Sequence, residues 1–392
     1  MNTKSLNTVC REGNTDSIAR EFSVSTDGSA DFRTITEALD AVKALRTAKR
    51  PDATSLQEDE RIHITISPGT YKEKLVIRQA NVALCGAGAG RTKIIWDDCA
   101  TRLLPNGQPM GTFNSYTVYV GARRVRLQGL TIENSAGDGR LVGPAVALYA
   151  DADLLLVENC RIASRQDSLC TGPLPKNPPP KGVNLIHPVA GLGADQPLLP
   201  FRQHYRNCLI EGDVDFIFGS SLAVFKDCEI RSLGRLEPEQ PLIPEQATGT
   251  QLRQAQATVG WVAAPSTYPG QKIGFVFLHC SLTSTVASVQ SSFKSYLARP
   301  WRHSGRAAFI NCRMDAHIAP EGWDDWGKPE ARAYGGFCEF GSTGSGAPSR
   351  NFRATWARTL SEDEAASLSA LAESVFKTSS PQRPCRRESK RG

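Results

Sequence analysis

Short apolar runs, none long enough for a buried helix, are spaced along the middle of the chain by polar residues and glycine. Five of them share one frame, with a polar residue, cysteine and another polar residue between apolar flanks. It recurs around Cys160, Cys208, Cys228, Cys280 and Cys312. Cys208 and Cys228 are 20 residues apart. Cys160 and Cys208 are 48 apart, but Pro173–Pro200 is a Pro/Gly-rich stretch of 28, which leaves 20 again. A repeat of this length built from short β-rich segments predicts a solenoid. With no long helical pattern through the middle, the expected class is an all-β solenoid of the β-helix kind. The cysteines then stack from coil to coil, either as buried thiols or as disulfides between neighbours.

The pattern changes to helical spacing twice. Ile35, Ala38, Leu39 and Val42 follow i, i+3, i+4, i+7, with Thr34 and Glu37 placed as a capping box. Ser361 and Glu364 repeat that box ahead of Leu368, Leu371, Ala372 and Val375. Open solenoid ends need cover, so a capping helix is expected at each. The organisation read from this is a leader over 1–22, a β-helix over 23–360, a helix over 361–378 and a basic tail over 379–392. Loop excursions are expected at about 173–200 and 233–257.

Composition changes this picture little. Hydrophobic residues make up 40% of the 392 and charged ones 22%, as in a globular chain. The net charge is +6, but the last ten residues carry five basic side chains against Glu388, a net of +4. The remainder is only +2, which argues against a nucleic-acid surface. No stretch approaches a membrane span, and Met1–Arg20 lacks the apolar core of a secretory signal. The eleven cysteines form no Cys-x-x-Cys pair and no His pair has metal spacing, so no metal is expected.

Candidate chemistry is concentrated in carboxylates. Cys85-Gly86-Ala87-Gly88-Ala89-Gly90 precedes a β-like segment rather than a helix, so it reads as a tight turn and not a phosphate loop. There is no Gly-x-Ser-x-Gly elbow. His63 and His279 fall in strand-like runs, and nothing points to a histidine base. By contrast, Gly212-Asp213-Val214-Asp215-Phe216-Ile217-Phe218-Gly219 sets two carboxylates among β-formers. Burying a charge is costly unless it is paired. Asp167 follows Cys160 by seven residues and Asp215 follows Cys208 by seven. The ladder therefore places them in adjacent coils, about 4.8 Å apart. Like charges that close push one pKa up and split the pair into acid and base. A purely structural Asp ladder is the competing reading. Gln166, and Glu211 or Asp213, fall nearby. Arg299 in Leu297-Ala298-Arg299-Pro300-Trp301-Arg302 can hold Asp215 ionised by a bidentate contact.

Together these strings resemble the pectin methylesterases (pectinesterases). The resemblance runs from about Phe32 to Leu371 and includes Pro68-Gly69-Thr70-Tyr71-Lys72-Glu73, Gly111-Thr112-Phe113-Asn114-Ser115 and Gln166-Asp167-Ser168-Leu169. It continues through the Gly212–Gly219 string, Gly260-Trp261-Val262-Ala263-Ala264-Pro265-Ser266-Thr267 and Leu297–Arg302. The Trp261 segment and Gly322-Trp323-Asp324-Asp325-Trp326 look more like bacterial members than plant ones. The resemblance implies an aspartyl esterase on a single-stranded right-handed parallel β-helix that removes methyl esters from galacturonate units of pectin without a cofactor. Asp215 would be the nucleophile, Asp167 the acid and then base, Gln166 an oxyanion donor, and Arg299 the group that orients and ionises Asp215. Thr112, Val214, Phe218, Trp261, Arg299, Trp301 and Trp326 would bind the sugar chain, with core packing the alternative for Phe218. The implied protein is a secreted monomer acting on a polysaccharide, with no nucleic-acid or membrane partner. One departure stands out. Where the family has a second oxyanion Gln, this chain has Pro144, which brings neither a side-chain donor nor a backbone N–H. Asn184 or Gln196 in the excursion is a candidate replacement. The alternatives are an esterase or thioesterase for another ester, or a carbohydrate-binding β-helix weakened at Pro144.

Overall fold

The computed structural model describes residues 20–47, 61–173, 201–234, 259–286, 293–347 and 350–377. Three parallel sheets of eleven, seven and eight strands wrap one interior. Each full coil gives one short strand to each sheet, the arrangement of a right-handed parallel β-helix. Pairing partners show the basic coil to be 20 residues: Ile62 lies beside Val82, Tyr205 beside Phe225 and Cys338 beside Arg358. Longer intervals, such as the 52 from Phe225 to Phe277, come from insertions at the corners and leave strand pairing intact.

The repeated cysteine frame is a corner. The residue before each cysteine adopts a left-handed backbone: Asn159 (φ 53°), Asn207 (51°), Asp227 (53°), His279 (53°) and Asn311 (53°). Asn, Asp and His enter this region at the lowest cost among residues with a Cβ. His279 is thus a corner residue and not part of a strand, while His63 lies in the strand Ile62–Ile66. The corner turns the chain from the eleven-stranded sheet into the eight-stranded one, and the next residue points inward. That residue is cysteine, small enough to fit the bend. Cys160, Cys208, Cys228, Cys280 and Cys312 are all buried free thiols, so the disulfide alternative does not hold. From Cys208 on, each Sγ donates to a carbonyl of the preceding coil, for example Cys228 to Tyr205 O at 3.4 Å.

Inside, one aromatic stack follows the axis. Tyr205, Phe225, Phe277 and Phe309 lie face to face at 4.8, 4.6 and 4.2 Å between centroids. The helix Ile35–Thr47 closes the first coils with Ile35, Ala38, Leu39 and Val42 buried. Its capping box is formed: Thr34 N donates to Glu37 Oε2 and Glu37 N to Thr34 Oγ1, both at 3.1 Å. Glu73 adds a carboxylate that accepts from the N–H groups of Ile35 and Thr36 at 2.9 Å each, satisfying the helix N-terminus.

The second helix, Glu362–Lys377, also has its box, with Glu364 N donating to Ser361 Oγ at 3.2 Å. The cover it gives is lateral. Ala365 and Ala372 pack on Val224, Val276, Leu278, Ala308 and Ile310, the outward side chains of the eleven-stranded sheet. Leu371, placed on the buried side by its spacing, is 48% exposed, because the contact stripe runs through the two alanines instead. No described helix is long and apolar enough to cross a membrane.

Candidate active site

The site lies on the outer face of the seven-stranded sheet, where the coil bearing Leu169–Thr171 meets the coil bearing Val214–Gly219. Leu169 pairs with Ile217, and Gln166 bridges Val214. The offset is 48 at both points, so Asp167 falls opposite Asp215. Asp167 N donates to Val214 O at 3.1 Å. Both aspartates have left-handed backbones, with φ 65° at Asp167 and 48° at Asp215. Strain of this kind persists only where surrounding structure enforces it, and it gathers at functional sites.

Two features enforce it here. Against the next strand, Val214 pairs with Trp261 but Ile217 with Ala263, so one extra residue is accommodated at 215–216. Such a bulge re-aims side chains. Phe216 turns fully into the core, and Asp215 faces the cleft at 8% exposure. The glycines bracketing the string allow the coils this close. A Cβ on Gly212 would sit 2.1 Å from the Phe216 Cβ, and one on Gly219 2.0 Å from Thr171 O.

Arg299 holds Asp215 by two bonds, Nε to Oδ1 at 2.8 Å and Nη2 to Oδ2 at 2.7 Å. Its guanidinium is clamped between two indoles, 3.8 Å from the ring centres of Trp261 and Trp326. Asp324 ties the clamp together, accepting from Trp261 Nε1 at 2.6 Å and from Trp326 N at 2.7 Å. Lys328 rests 4.1 Å from the Trp326 ring and donates to Pro300 O and Trp301 O at 2.8 and 2.9 Å. A guanidinium with both faces stacked and its fork engaged has little freedom left.

Burial pushes the Asp215 carboxyl above its ordinary value, with Arg299 opposing through its bonds and charge. Arg299 thus works against burial at Asp215 without outweighing it. Asp167 is pushed up further, by burial first and then by the Asp215 charge. The pair is therefore split, with Asp167 the better proton holder and Asp215 the first to ionise.

The other expected residues gather around this pair. The carboxamide of Gln166 makes no hydrogen bond to any described residue and is half-buried beside Asp167. Phe218 is buried and meets Trp301 edge to face at 5.8 Å. It belongs to one lateral row, Val76, Tyr119, Tyr149, Cys170, Phe218 and Ala264, that crosses the outside of the sheet. Phe113, next to Thr112, packs on Tyr149 and Phe218 at 5.8 and 6.3 Å. Val214 is buried at the bulge. Trp261 and Trp326 each spend a face on Arg299; Trp261 also stacks with Tyr296 at 6.3 Å, and Trp326, with Lys328 over it, is 36% exposed. Pro144 stands in the coil before Gln166, and its carbonyl accepts from Ala100 N at 2.8 Å. Asn184 and Gln196 lie outside the described residues. Among the described residues no group of His, Cys, Asp or Glu is arranged to hold a metal ion. Sequence reasoning missed Asp324 and Lys328 as supports of the clamp. Their signal was the density of charge beside two tryptophans in Trp323–Lys328.

Known proteins resemble this chain in sequence and in fold. The family model described as Pectinesterase matches residues 21–173 and 198–376. "Probable pectinesterase/pectinesterase inhibitor 64" of Arabidopsis thaliana is 30% identical over 364 residues, covering 91% of this chain and 48% of that protein. The chain spans about half the length of the first curated relatives it matches, at 48%, 52% and 46%. Among solved structures, pectin methylesterase PemA from Erwinia chrysanthemi superposes with a TM-score of 0.65 at 25% identity, covering 95% of this chain and 100% of that one. A pectin methylesterase in complex with hexasaccharide VII gives 0.64 at 25% identity, over 95% and 100%. With the match extending over most of the described coils and across the whole Asp167–Asp215–Arg299 constellation, the chain belongs to the pectinesterase family.

Proposed function

We propose that this protein hydrolyses the methyl esters of galacturonate units in pectin, giving pectate and methanol. The observation that carries the reading is the aspartate pair: two carboxyls in register on adjacent coils, one gripped by a clamped arginine and the other pushed toward its protonated form by burial and by its neighbour. Asp215, ionised, attacks the C6 carbonyl, and the developing oxyanion takes a hydrogen bond from Gln166. Asp167 gives its proton to the departing methoxide. An acyl anhydride on Asp215 remains. Asp167, now a base, takes a proton from water, which attacks the anhydride and returns Asp215 as carboxylate. Arg299 keeps the nucleophile oriented throughout.

Thr112, Val214, Phe218, Trp301 and the exposed part of Trp326 form the groove for the sugar chain. A family member bound to a hexasaccharide supports a groove that takes several units. We infer an extracellular enzyme, since pectin lies in plant cell walls, acting as a monomer and of bacterial cast by its tryptophan strings. The described groove offers no side-chain donor at Pro144. Loss of one oxyanion donor costs about 10²–10³ in rate, so turnover is slow unless Gln166 suffices. Methanol release from highly methylated pectin tests the whole reading. We expect release by the native chain, faster release by Pro144→Gln, and none by Asp215→Asn. A native chain that binds polygalacturonate but releases no methanol is a binding protein instead.

A further inference from the structure

We propose that Asp213 and Arg165 are positioning residues for Asp167: an ion pair with its carboxylate fully buried that fixes the Gln166–Asp167 segment and sets a second carboxylate beside it. The proposal rests on the esterase reading above. Asp213 is the other carboxylate of the Gly212–Gly219 string, and no step of the reaction uses it. It is fully buried, at 0% exposure. Arg165 Nε lies 3.2 Å from its Oδ2, and Arg165 Nη2 donates to Gly234 O at 3.1 Å.

The backbone at Asp213 joins three coils. Its N–H donates to Arg165 O at 2.8 Å, and its carbonyl accepts from Trp261 N at 3.1 Å. The residue therefore links the segment carrying the acid, the segment carrying the nucleophile and the indole that clamps Arg299. An ion pair is an expensive fastener in such a place, since apolar side chains of similar volume are often as stable or more so. Its charge gives it a use that packing lacks. The groups facing Asp167 are Asp215, Arg299 and Asp213, with Arg165 paired to Asp213 and with Asp324 and Lys328 acting on Asp215. Asp213 pushes Asp167 toward its protonated form, as Asp215 does.

The two pushes differ in time. Once Asp215 is acylated its charge is gone, and its effect on Asp167 goes with it. Asp213 is never acylated, so its effect persists. Through the second half of the reaction it keeps Asp167 basic, which is when Asp167 must take a proton from water. Arg165, paired with Asp213, tempers the effect.

The test is the pH dependence of kcat/KM for methanol release, which reports the free enzyme's essential groups. The acid must be protonated, so activity falls as pH rises through its pKa. Asp213→Asn removes a like charge and moves this alkaline limb down, by roughly 0.5–1 unit given the usual reach of a neighbouring charge. Arg165→Gln moves it up. The double variant leaves no unpaired charge, so it keeps the fold even where a single change does not, and its limb also lies below that of the native protein. Two single variants with native melting and an unmoved limb overturn the proposal, as do two limbs that move the same way. Failure of the underlying reading looks different: no methanol from the native protein, or full release by Asp215→Asn.

Discussion

Asn207 and Asp215 stand eight residues apart with almost the same backbone, φ 51° and 48°. One is a corner of the solenoid and the other faces the cleft. The corner series Asn159, Asn207, Asp227, His279 and Asn311 is exposed throughout. The site pair, Asp167 and Asp215, is withdrawn from water and faces one guanidinium. Both series exist because a coil must bend sharply, and Asx residues bend that way at low cost. At the corners water screens whatever side chain is present, so amide, carboxylate and imidazole all serve. On the seven-stranded face the same kind of slot is dry, and the difference between amide and carboxylate becomes chemistry. The fold thus supplies positions of this conformation repeatedly, and local dryness together with Arg299 turns two of them into a site.

Exchanging the residue types tests this contrast most severely. Asp215→Asn keeps shape and backbone preference but removes the proposed nucleophile, so kcat for methanol release falls by about 10⁴-fold or more, with near-native melting. Asn207→Asp makes the converse change at a solvated corner, where Asp227 already shows that a carboxylate fits; its kinetics match the native protein. Equal losses in the two variants would collapse the distinction. A smaller loss follows from Arg299→Lys. An ammonium keeps the charge but cannot bond both oxygens of Asp215 or stack between two indoles. Breaking a buried charge-assisted pair costs about 2–5 kcal/mol, so kcat/KM falls by roughly 10²-fold. Asp167 and its protonation remain, so the alkaline limb stays within its native range.

Much of this contrast can be read in the chain itself. The Cys frame carries the coil length, and equal spacing from cysteine to aspartate in two coils places Asp167 beside Asp215. Thr34/Glu37 and Ser361/Glu364 mark helix starts that the structure retains. What escapes the sequence depends on neighbours from other coils. The left-handed turn behind the frame explains why Asn precedes Cys, but spacing alone records only a polar residue there. The contact stripe through Ala365 and Ala372, which leaves Leu371 in water, follows from where the helix lies on the outer sheet. Trp261 reads as a sugar platform until Arg299 is seen against it. The direction of the Asp215 shift also needs burial to be known, since the arginine and the dry surroundings pull opposite ways.

The site pair also gives up stability. Both carboxyls have folded pKa values raised above those of the unfolded chain. A raised value favours the fold below the ordinary carboxylate pKa, and that contribution is lost as pH rises through the folded value. Asp167→Asn escapes the loss. Its Tm therefore equals the native one in acid and exceeds it at alkaline pH, where the native protein must bury a second charge, while activity disappears. A native-like fall of Tm with pH in this variant would show that Asp167 carries no such burden. The corners, already solvated, have no counterpart to this effect.

The smallest effect belongs to the corners and asks whether they act through the backbone or through their side chains. Holding an L-residue left-handed costs roughly 1–2 kcal/mol, and Asn recovers part of that. Asn207→Ala should then lower stability by about 1 kcal/mol in a denaturant titration, and Asn207→Gly by less, with kcat/KM unchanged in both. Asn159 is the neighbouring corner, its N–H donating to Arg206 O at 3.0 Å, yet no side-chain hydrogen bond joins it to Asn207 among the described residues. If conformation alone is at work, Asn159→Ala and Asn207→Ala add to within a few tenths of a kcal/mol. A double variant that loses clearly more than the sum would mean the amides stack cooperatively along the axis, and the corners would then share with the aspartates a dependence on side-chain partners as well as on φ.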